Sequence, residues 1–286
     1  MKGILLAGGS GTRLYPLTTS VSKQLLPVYD KPMIYYPLST LIASGINEIL
    51  IITTPDDLMS YKKLLKDGSQ WGCKLEYEIQ EKPNGIAESF IIAENFINND
   101  NVALILGDNI FYFPSLGHVT KKSIINHGAT IFAYHVSDPE RYGVVEFSNS
   151  GRIISISEKP TKPKSNFAIP GFYFFDKNVV EFAKKIKPSP RGELEITDII
   201  QMYHKKEMLS VIKMDKGTAW LDTGTVNSLM EASQFVQVLE NRQGLKVGCV
   251  EEQAYLMKYI DENELRSLSS SFNNKYGKYI KSILDE

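Results

Sequence analysis

A glycine-rich loop with two nearby cations is the segment of the chain best suited to chemistry. It reads Gly8-Gly9-Ser10-Gly11-Thr12-Arg13, directly after the first predicted strand, and Lys23 follows ten residues later. Glycines let backbone N–H groups approach phosphate oxygens, and the N-terminus of a following helix adds positive field. Two cations beside such a cradle suit a triphosphate better than a pyrophosphate diester. By itself the loop is equally compatible with a structural turn that carries solvent-facing charges.

Two familiar phosphate-binding loops do not fit this segment. A Walker loop ends in Gly-Lys-Ser or Gly-Lys-Thr, and this one does not. A Rossmann fingerprint needs a third glycine three residues after its second, but counting from Gly9 and Gly11 that position holds Leu14. The loop is therefore of a third kind, with an arginine inside it.

Asp108 and Asp222 are the carboxylates best placed to bind a metal ion. We expect both in loops, Asp108 at the carboxyl end of a strand and Asp222 just before Thr223-Gly224. Mg²⁺ usually takes one or two carboxylates together with phosphate oxygens and water. Each aspartate is equally able to cap a turn or a helix. A further cation, Lys159, follows a predicted strand, although a lone lysine is most often a solvated surface charge.

Composition excludes several classes of function. The chain has 286 residues, of which 43% are hydrophobic and 23% charged, and this suits one large globular domain with at most a small addition. A net charge of −1 without a basic stripe argues against a nucleic-acid partner. The apolar runs are much shorter than the ~20 residues that span a bilayer, so we expect no membrane segment. Residues 1–7 lead straight into the glycine loop without a signal peptide, which predicts a cytoplasmic protein.

The cysteines and histidines do not form a recognisable metal or catalytic pattern. Cys73 and Cys249 are far apart, so we expect buried free thiols in a reducing compartment. The histidines lack metal-ligand spacing, and they are His118, His127, His135 and His204.

The first half of the chain alternates predicted strands and helices. Strands are expected at Gly3–Leu6, Glu48–Thr54, Leu75–Ile79, Val102–Leu106 and Thr130–Val136. Helices are expected at Pro32–Ser44, Asp56–Lys66, Ile86–Phe96 and Leu116–Asn126. This alternation predicts an α/β fold, a doubly wound and mainly parallel sheet of the Rossmann-like kind. In such sheets ligands bind beyond the carboxyl ends of the strands, where residues 8–13 and Gly107-Asp108-Asn109 fall.

The second half has a different pattern. Short strands are expected at Val144–Phe147, Ile153–Glu158 and Phe172–Phe175, separated by turn clusters. Residues 226–286 are predicted to be mostly helical, with a Ser- and Asn-rich interruption at 267–274. The chain thus combines a β-rich lobe and a helical C-terminal region with the first sheet.

Several ordered motifs resemble one known family, the nucleotidyltransferases that make sugar nucleotides. The loop segments 5–18 and 22–33 carry the resemblance first, and it continues through residues 80–87, 106–111, 140–144, 158–160 and 220–225. It covers nearly the whole chain, and it is strongest to members that join dTTP to glucose 1-phosphate. The resemblance implies a catalytic domain at 1–225, with a nucleotide half at about 1–137 and a sugar-binding part at about 138–225, followed by a helical region at 226–286.

The resemblance also implies a role for each matching residue. The reaction would be Mg²⁺-assisted, in-line attack of α-D-glucose 1-phosphate on the α-phosphorus of dTTP, giving dTDP-glucose and pyrophosphate. Mg²⁺ would be held by Asp108 and Asp222. The catalytic set would be Arg13, Lys23, Asp108, Lys159 and Asp222. Nucleotide-binding residues would be Leu6, Gly8, Gly9, Gly11, Thr12, Arg13, Lys23, Gln80, Gly85 and Asp108. Sugar-phosphate-binding residues would be Asn109, Gly143, Glu158, Lys159 and Ile169.

Some alternatives stay open at this point. Gln80 matches the imide edge of thymine and of uracil equally, because an amide offers both a donor and an acceptor. A sibling enzyme that uses UTP or another sugar phosphate, and a non-catalytic nucleotide-binding relative, are the competing hypotheses. Pro170 replaces the usual threonine of the family beside the expected sugar site, which leaves sugar choice open.

The resemblance further implies a homotetramer and a second site for a feedback nucleotide-sugar, dTDP-rhamnose. At that site this chain has Leu256 and Lys216 where the family usually has arginines. Lysine does not bind phosphate bidentately as arginine does, so we expect weakened feedback inhibition. The apolar segment 33–36 would suit either a subunit interface or the core of the chain.

Overall fold

The computed structural model describes residues 1–113 and 128–285. Its strands are β1 (Lys2–Ala7), β2 (Pro27–Val28), β3 (Lys31–Pro32), β4 (Glu48–Thr53), β5 (Lys74–Ile79), β6 (Val102–Leu106), β7 (Asn109–Tyr112), β8 (Ala129–His135), β9 (Gly143–Phe147), β10 (Ile153–Glu158), β11 (Phe167–Ala168), β12 (Phe172–Phe175), β13 (Leu209–Lys213) and β14 (Ala219–Asp222). Its α-helices are α1 (Tyr35–Ala43), α2 (Leu58–Leu65), α3 (Glu88–Ile92), α4 (Glu94–Ile97), α5 (Val179–Ala183), α6 (Ile196–Lys205), α7 (Val226–Gln243), α8 (Val250–Leu256), α9 (Glu262–Ser270) and α10 (Lys275–Ser282). The expected helix at Leu116–Asn126, with His118, and His127 lie outside the described residues.

The nucleotide-side half of the sheet is parallel and covered on both faces. β1 pairs in parallel with β4 and β6, and β5 pairs in parallel with β4. Leu5 packs in the same core cluster as α1 and α2, whereas Ile4 packs with α3 and α4. Successive side chains of a strand point to opposite faces, so this alternation buries β1 on both sides. The predicted doubly wound α/β layer arrangement is confirmed.

The other half of the sheet is mixed. β12 lies antiparallel between β6 and β8, while β13 runs parallel to β8. β11 pairs antiparallel with both β8 and β9, and β10 forms the edge. From these pairings, β1, β4, β5, β6, β8 and β13 all point in one direction, so the sheet is mainly parallel although neighbouring strands in this half are not.

A bulge between β11 and β12 opens the sheet where the candidate site lies. Both strands pair with the same edge of β8, yet the register moves by two residues between Ala168↔Tyr134 and Tyr173↔Ile131. Pro170 sits in this bulge, where its missing N–H costs no ladder hydrogen bond. On either side of it, the Ile169 amide donates to the Gly143 carbonyl and the Gly171 amide donates to Asn109 Oδ1. Proline at position 170, where the family usually has threonine, is therefore compatible with the local backbone.

The structure corrects several predictions. Asp222 ends a short strand, β14, which pairs antiparallel with β7, so neither Asp222 nor Asn109 lies in a simple loop. The glycine loop leads into a three-residue 3-10 helix, Thr12–Leu14, and the next α-helix begins only at Tyr35, so the N-terminus of an α-helix does not follow the loop directly. The expected helix at 86–96 is two short helices, and α9 extends to Ser270 inside the predicted interruption. Helices α5 and α6 and strand β13 were not predicted.

The C-terminal helices pack on the outside of the parallel half. Helix α8 packs on α1, and α7 contacts the β2–β3 hairpin and β14. Buried Lys31 links this region, because its Nζ donates to Glu240 Oε1 at 3.2 Å and to the Val247 carbonyl at 3.0 Å. Met33, Ile34 and Tyr36 of the apolar segment are buried within this one chain, and both cysteines are buried and free. None of the described helices is long and apolar enough to cross a membrane.

Candidate active site

A continuous cleft runs along the carboxyl ends of β1 and β6. One end, here called the loop side, is lined by residues 8–14, Lys23 and Gln80. The other end, the strand side, is lined by strand ends and by a neighbouring turn, with Gly143, Glu158, Lys159, Ile169 and Arg191 among its residues. Asp108 and Glu193 line both sides, so the two ends adjoin at these residues.

The glycine loop is held in place from behind. The Gly8 carbonyl accepts a hydrogen bond from Gln24 Nε2 at 3.1 Å, and the Gly11 carbonyl accepts from Thr18 Oγ1 at 2.8 Å. Gln24 is itself fixed, since its Oε1 accepts from Ser22 Oγ at 2.9 Å and from Tyr61 OH at 3.3 Å. These contacts engage loop carbonyls on one side, and Gly8 to Thr12 line the cleft on the other.

Lys23 and Asp108 form an ion pair at the junction of the two sides. Lys23 Nζ lies 2.5 Å from Asp108 Oδ2, and the lysine is only 8% exposed. Asn109 Nδ2 donates to the other carboxylate oxygen at 2.8 Å. Burial acts to raise the pKa of the Asp108 carboxyl, but the charge and hydrogen bond of Lys23 outweigh it and hold this pKa below its ordinary value. Asp108 is therefore an anion over the working pH range.

Asp222 is brought next to Asp108 by strand pairing. It is the register partner of Asn109 in the β7–β14 pair. Its Oδ2 accepts from Arg141 Nη2 at 2.9 Å and from Tyr142 OH at 3.3 Å. Burial first, and the charge of Asp108 second, raise the pKa of Asp222 above its ordinary value. The predicted pair of carboxylates thus converges on one region.

This pair fits a divalent cation that needs few protein ligands. Within residues 1–113 and 128–285, no cluster of three or more His, Cys, Asp or Glu side chains is arranged for a metal ion. Mg²⁺ keeps water and takes substrate phosphate oxygens, so two carboxylates suffice. A cation between Asp108 and Asp222 would relieve the repulsion that raises the pKa of Asp222.

Arg13 projects into the cleft near these carboxylates. It is exposed and lines both sides. A Cβ added at Gly224 would lie 3.0 Å from Asp222 Oδ1 and 3.4 Å from Arg13 Nη1, so the absence of a side chain at Gly224 leaves room for both groups. Arg13 forms no ion pair with a carboxylate in the described part of the chain, so its guanidinium is available to an anionic ligand.

On the strand side, Glu158 lies near the cations Lys159 and Arg191, and Arg191 also pairs with Glu195 at 2.8 Å. Arg191 Nη2 lies 3.3 Å from Glu158 Oε1, and Lys159 Nζ lies 3.9 Å from the same oxygen. Lys159 has a left-handed backbone with φ of 37°, which directs the chain away from β10 directly after Glu158. Burial first, and the charge of Glu195 second, raise the pKa of Glu158 above its ordinary value.

Some predicted binding residues already have internal partners. The side-chain oxygen of Asn109 accepts from the Gly171 amide at 3.0 Å and from Trp220 Nε1 at 2.6 Å, so Asn109 mainly braces Asp108. The Ile169 amide donates a hydrogen bond to the Gly143 carbonyl at 2.8 Å. The Leu6 carbonyl accepts from the Gly107 amide at 2.8 Å, and Leu6 itself lines the loop side.

Gln80 and Gly85 lie together at the far end of the loop side. Gln80 Nε2 donates to the Gly85 carbonyl at 3.2 Å. Gly85 has φ of 110°, and a Cβ there would come 2.4 Å from the Leu194 carbonyl, so only glycine fits. Gln80 is buried, with 6% of its surface exposed, yet it lines the cleft.

Among the cleft residues that sequence reasoning missed are Arg141, Arg191 and Glu193. Arg141 lies inside one of the motifs at 140–144, but only the fold shows that it reaches Asp222. Arg191 follows the turn segment 188–190, and its ion pair with Glu158 joins residues 33 positions apart. The only sequence signal was a charged turn that contains glycine.

Comparison with known proteins finds full-length relatives. A glucose-1-phosphate thymidylyltransferase of Neisseria meningitidis serogroup A is 54% identical over 286 residues, which covers 99% of each chain. One of Mycolicibacterium smegmatis is 52% identical over 286 residues, covering 100% of this chain and 99% of the relative.

Solved structures share the fold. A structure from Bacillus anthracis, described as a candidate glucose-1-phosphate thymidylyltransferase in complex with sucrose, is 42% identical with a TM-score of 0.76, over 82% of this chain and 94% of that one. A UDP-glucose pyrophosphorylase with bound UDP-glucose is 24% identical with a TM-score of 0.74, over 83% of this chain and 98% of that one. At this lower identity the second likeness concerns the fold alone.

The family model agrees with these relatives and with the arrangement of the cleft. The model for nucleotidyl transferases matches residues 2–238, a span that includes Arg13, Lys23, Asp108, Lys159 and Asp222. Since that match covers most of the chain and relatives above 50% identity cover nearly all of it, the chain belongs to the nucleotidyl transferase family.

Proposed function

We propose that this protein joins dTTP to α-D-glucose 1-phosphate, forming dTDP-glucose and releasing pyrophosphate. The sugar phosphate oxygen attacks the α-phosphorus, and pyrophosphate leaves in line. Glucose-1-phosphate thymidylyltransferase is the name of both full-length relatives compared above, which supports this reaction. The observation that carries the proposal is that the two ends of the cleft adjoin at Asp108, because a transfer between two phosphates needs both substrates to meet at one place.

The difficulty of this reaction is electrostatic. The nucleophile is already an anion at neutral pH, so no general base is required, but two polyanions must approach each other. Positioned cations and dipoles are therefore the main catalytic resource. On the loop side, Arg13 and Lys23 would hold the triphosphate and stabilise charge on the leaving pyrophosphate. On the strand side, Lys159 would hold the sugar phosphate, while Arg191 is engaged by Glu195 at 2.8 Å.

Asp108 and Asp222 would hold the Mg²⁺ ion. When bound, the ion would offset phosphate charge that the protein cations alone do not balance. Both carboxylates are held by hydrogen bonds from neighbouring side chains. Lys23 and Asn109 fix the orientation of Asp108. Arg141 and Tyr142 fix the orientation of Asp222. Glu158 would accept hydrogen bonds from sugar hydroxyls at the end of β10, and Gln80 and Gly85 would contact the base.

A substrate panel tests the proposal. Pyrophosphate release is measured with dTTP, UTP and dCTP against glucose 1-phosphate, galactose 1-phosphate and N-acetylglucosamine 1-phosphate, with Mg²⁺ and with EDTA. We expect the highest kcat/KM for dTTP with glucose 1-phosphate, and we expect no pyrophosphate release in the presence of EDTA. A clear preference for UTP or for another sugar phosphate would replace the proposed activity by that of a sibling enzyme. The absence of turnover with every substrate pair would indicate a non-catalytic relative.

We also propose a homotetramer in the cytoplasm, regulated weakly by a nucleotide-sugar at a second site. The family resemblance supports the assembly, and because Met33, Ile34 and Tyr36 are buried within one chain, other surfaces would form it. Light scattering of the purified protein gives the mass of the assembly directly. A monomer of 32.2 kDa in solution would contradict the proposed tetramer.

A further inference from the structure

Glu88 fixes the orientation of the buried amide of Gln80. Gln80 Nε2 donates to Glu88 Oε2 at 2.7 Å and to the Gly85 carbonyl at 3.2 Å. A carboxylate and a carbonyl can only accept hydrogen bonds, so the nitrogen of the amide must face both of them. The alternative orientation would place Gln80 Oε1 against two acceptors. The orientation thus follows from the chemistry of the neighbours.

The opposite end of the same amide faces the cleft. A Cβ added at Gly8 would lie 3.0 Å from Gln80 Oε1, so this oxygen points toward the glycine loop. Among the described residues, no hydrogen-bond donor is directed at Gln80 Oε1. Gln80 and Gly8 both line the loop side at its far end. Gln80 therefore presents a hydrogen-bond acceptor, Oε1, to the cleft, while its Nε2 donates to Glu88 and to the Gly85 carbonyl.

Glu88 is in turn held at its other oxygen. Asn84 Nδ2 donates to Glu88 Oε1 at 2.8 Å. The loop between Gln80 and Glu88 is also anchored through its backbone, because the Leu194 amide donates to the Asn84 carbonyl at 2.6 Å and the Ala87 amide donates to the Leu194 carbonyl at 3.2 Å. Glu88 is the first residue of α3, so its main chain is fixed as well. These contacts limit the freedom of its carboxylate.

We propose that Glu88 is a positioning residue for base recognition, which holds Gln80 so that Oε1 accepts from the ring N–H of a thymine or uracil base. This inference rests on the proposed function. Cytosine carries an unprotonated ring nitrogen at that position and would place an acceptor against an acceptor. A buried polar group that is left unpaired disfavours the wrong ligand strongly. Glu88 therefore contributes to the choice of pyrimidine without touching the base.

A double-mutant cycle separates this role from a structural one. The single variants Glu88→Ala and Gln80→Ala and the double variant are compared for kcat/KM with dTTP and with dCTP. We expect Glu88→Ala to lower kcat/KM for dTTP by about three- to tenfold, mainly through KM, and to narrow the preference over dCTP by a similar factor. In the Gln80→Ala background the same change should have no further effect, because Glu88 acts through Gln80.

Two more variants control for loss of a carboxylate. Glu88→Gln keeps a side-chain oxygen that can accept from Gln80, so the preference for dTTP should stay within about twofold of wild type. Glu94→Ala removes an exposed carboxylate of neighbouring helix α4, where Lys184 is its partner, and should leave the preference unchanged. Thermal denaturation of each variant checks that the fold is retained.

The outcomes separate this inference from the proposed function. Equilibrium binding of dTTP and dCTP to the wild type and to each variant, by calorimetry without sugar phosphate, reads base preference independently of turnover. Binding of dTTP without turnover would contradict the proposed function, while the same double-mutant cycle, measured as binding constants, still tests Glu88. Additive effects of the two alanine variants, or an unchanged preference in Glu88→Ala, would overturn the role of Glu88 even in an active enzyme. Failure of the wild type to prefer dTTP over dCTP would overturn it as well.

Discussion

Asp222 lies directly opposite Asn109 in the β7–β14 pair, one residue away from the position of Asp108. The two carboxylates come from parts of the chain 114 positions apart, and a four-residue strand aligns them. Thr223 strengthens the alignment, because its Oγ1 donates to the Asp108 carbonyl at 2.8 Å. The pairing of two short strands is therefore what creates the proposed metal site.

Removal of either carboxylate should abolish most turnover but affect stability unequally. We expect Asp108→Asn and Asp222→Asn each to lower kcat about 100-fold or more, since each removes charge from the proposed metal site. Asp108→Asn also leaves the ammonium of Lys23 buried without its counter-charge, which should cost about 3 kcal/mol of unfolding free energy. Arg141, the partner of Asp222, is 36% exposed and can be solvated, so Asp222→Asn should cost less than about 1 kcal/mol.

Urea denaturation and steady-state assays check both parts of this prediction. The double variant Lys23→Met with Asp108→Asn removes both charges, and it should regain stability relative to Asp108→Asn without regaining activity. Equal stability of the two single variants would contradict the difference in burial between the two ion pairs. Wild-type rates in either variant would remove that aspartate from the reaction.

Glu158→Gln should make the protein more stable at neutral pH and less active. Burial, followed by the charge of Glu195, raises the pKa of Glu158, so its ionised form is disfavoured in the folded state. Ionisation therefore lowers stability above the folded-state pKa, and uptake of a proton restores stability as the pH falls through it. The Gln variant should show a higher Tm at pH 7.5, and the difference should close toward pH 4. Its KM for glucose 1-phosphate should rise, because the amide accepts hydrogen bonds from hydroxyls less strongly than a carboxylate.

Thermal melts at a series of pH values, with matched kinetic assays, measure this effect. A Tm difference that grows as the pH falls would mean that the charged form of Glu158 is favoured in the fold, contrary to the stated cause. An unchanged KM would remove Glu158 from sugar binding.

The sequence predicted the parallel half of the fold well because each strand there is a local pattern. The apolar runs around Ile4 and Ile105 identify buried strands by themselves, and Asp108 follows as a residue beyond a strand end. Strand β14 has only four residues, and its partner lies more than 100 positions earlier, so no local periodicity marks it. The contact of Arg191 with Glu158 likewise depends on where a distant turn folds. Strand β14 and the contact of Arg191 with Glu158 were not predicted because both depend on long-range pairing, which local sequence patterns do not encode.

Lys159→Met should chiefly raise the KM for the sugar phosphate. Lys159 is about half exposed on the strand side, where its only carboxylate neighbour within the described residues is Glu158 at 3.9 Å, so its charge is largely free for a ligand. We expect an increase in KM of about tenfold, with a smaller change in KM for dTTP. Lys162→Met serves as a matched control, because Lys162 is an exposed lysine three residues further along the same turn. Equal KM values in the two variants, measured by pyrophosphate release, would show that Lys159 is only a surface charge.

Leu256→Arg should strengthen inhibition by dTDP-rhamnose. Leu256 ends α8 with 60% of its surface exposed, so an arginine there can reach solvent without disturbing the core. Arginine binds phosphate through two parallel hydrogen bonds, which the leucine of this chain does not offer. We expect the wild type to be inhibited weakly and the variant to show an inhibition constant about tenfold lower, measured in steady-state assays at fixed dTTP. Met59→Arg, at an exposed position of α2, introduces the same charge elsewhere and should leave the inhibition constant unchanged. If Leu256→Arg and Met59→Arg behave alike, the weakened feedback would not depend on position 256, and Lys216→Arg would then be the remaining substitution to carry it.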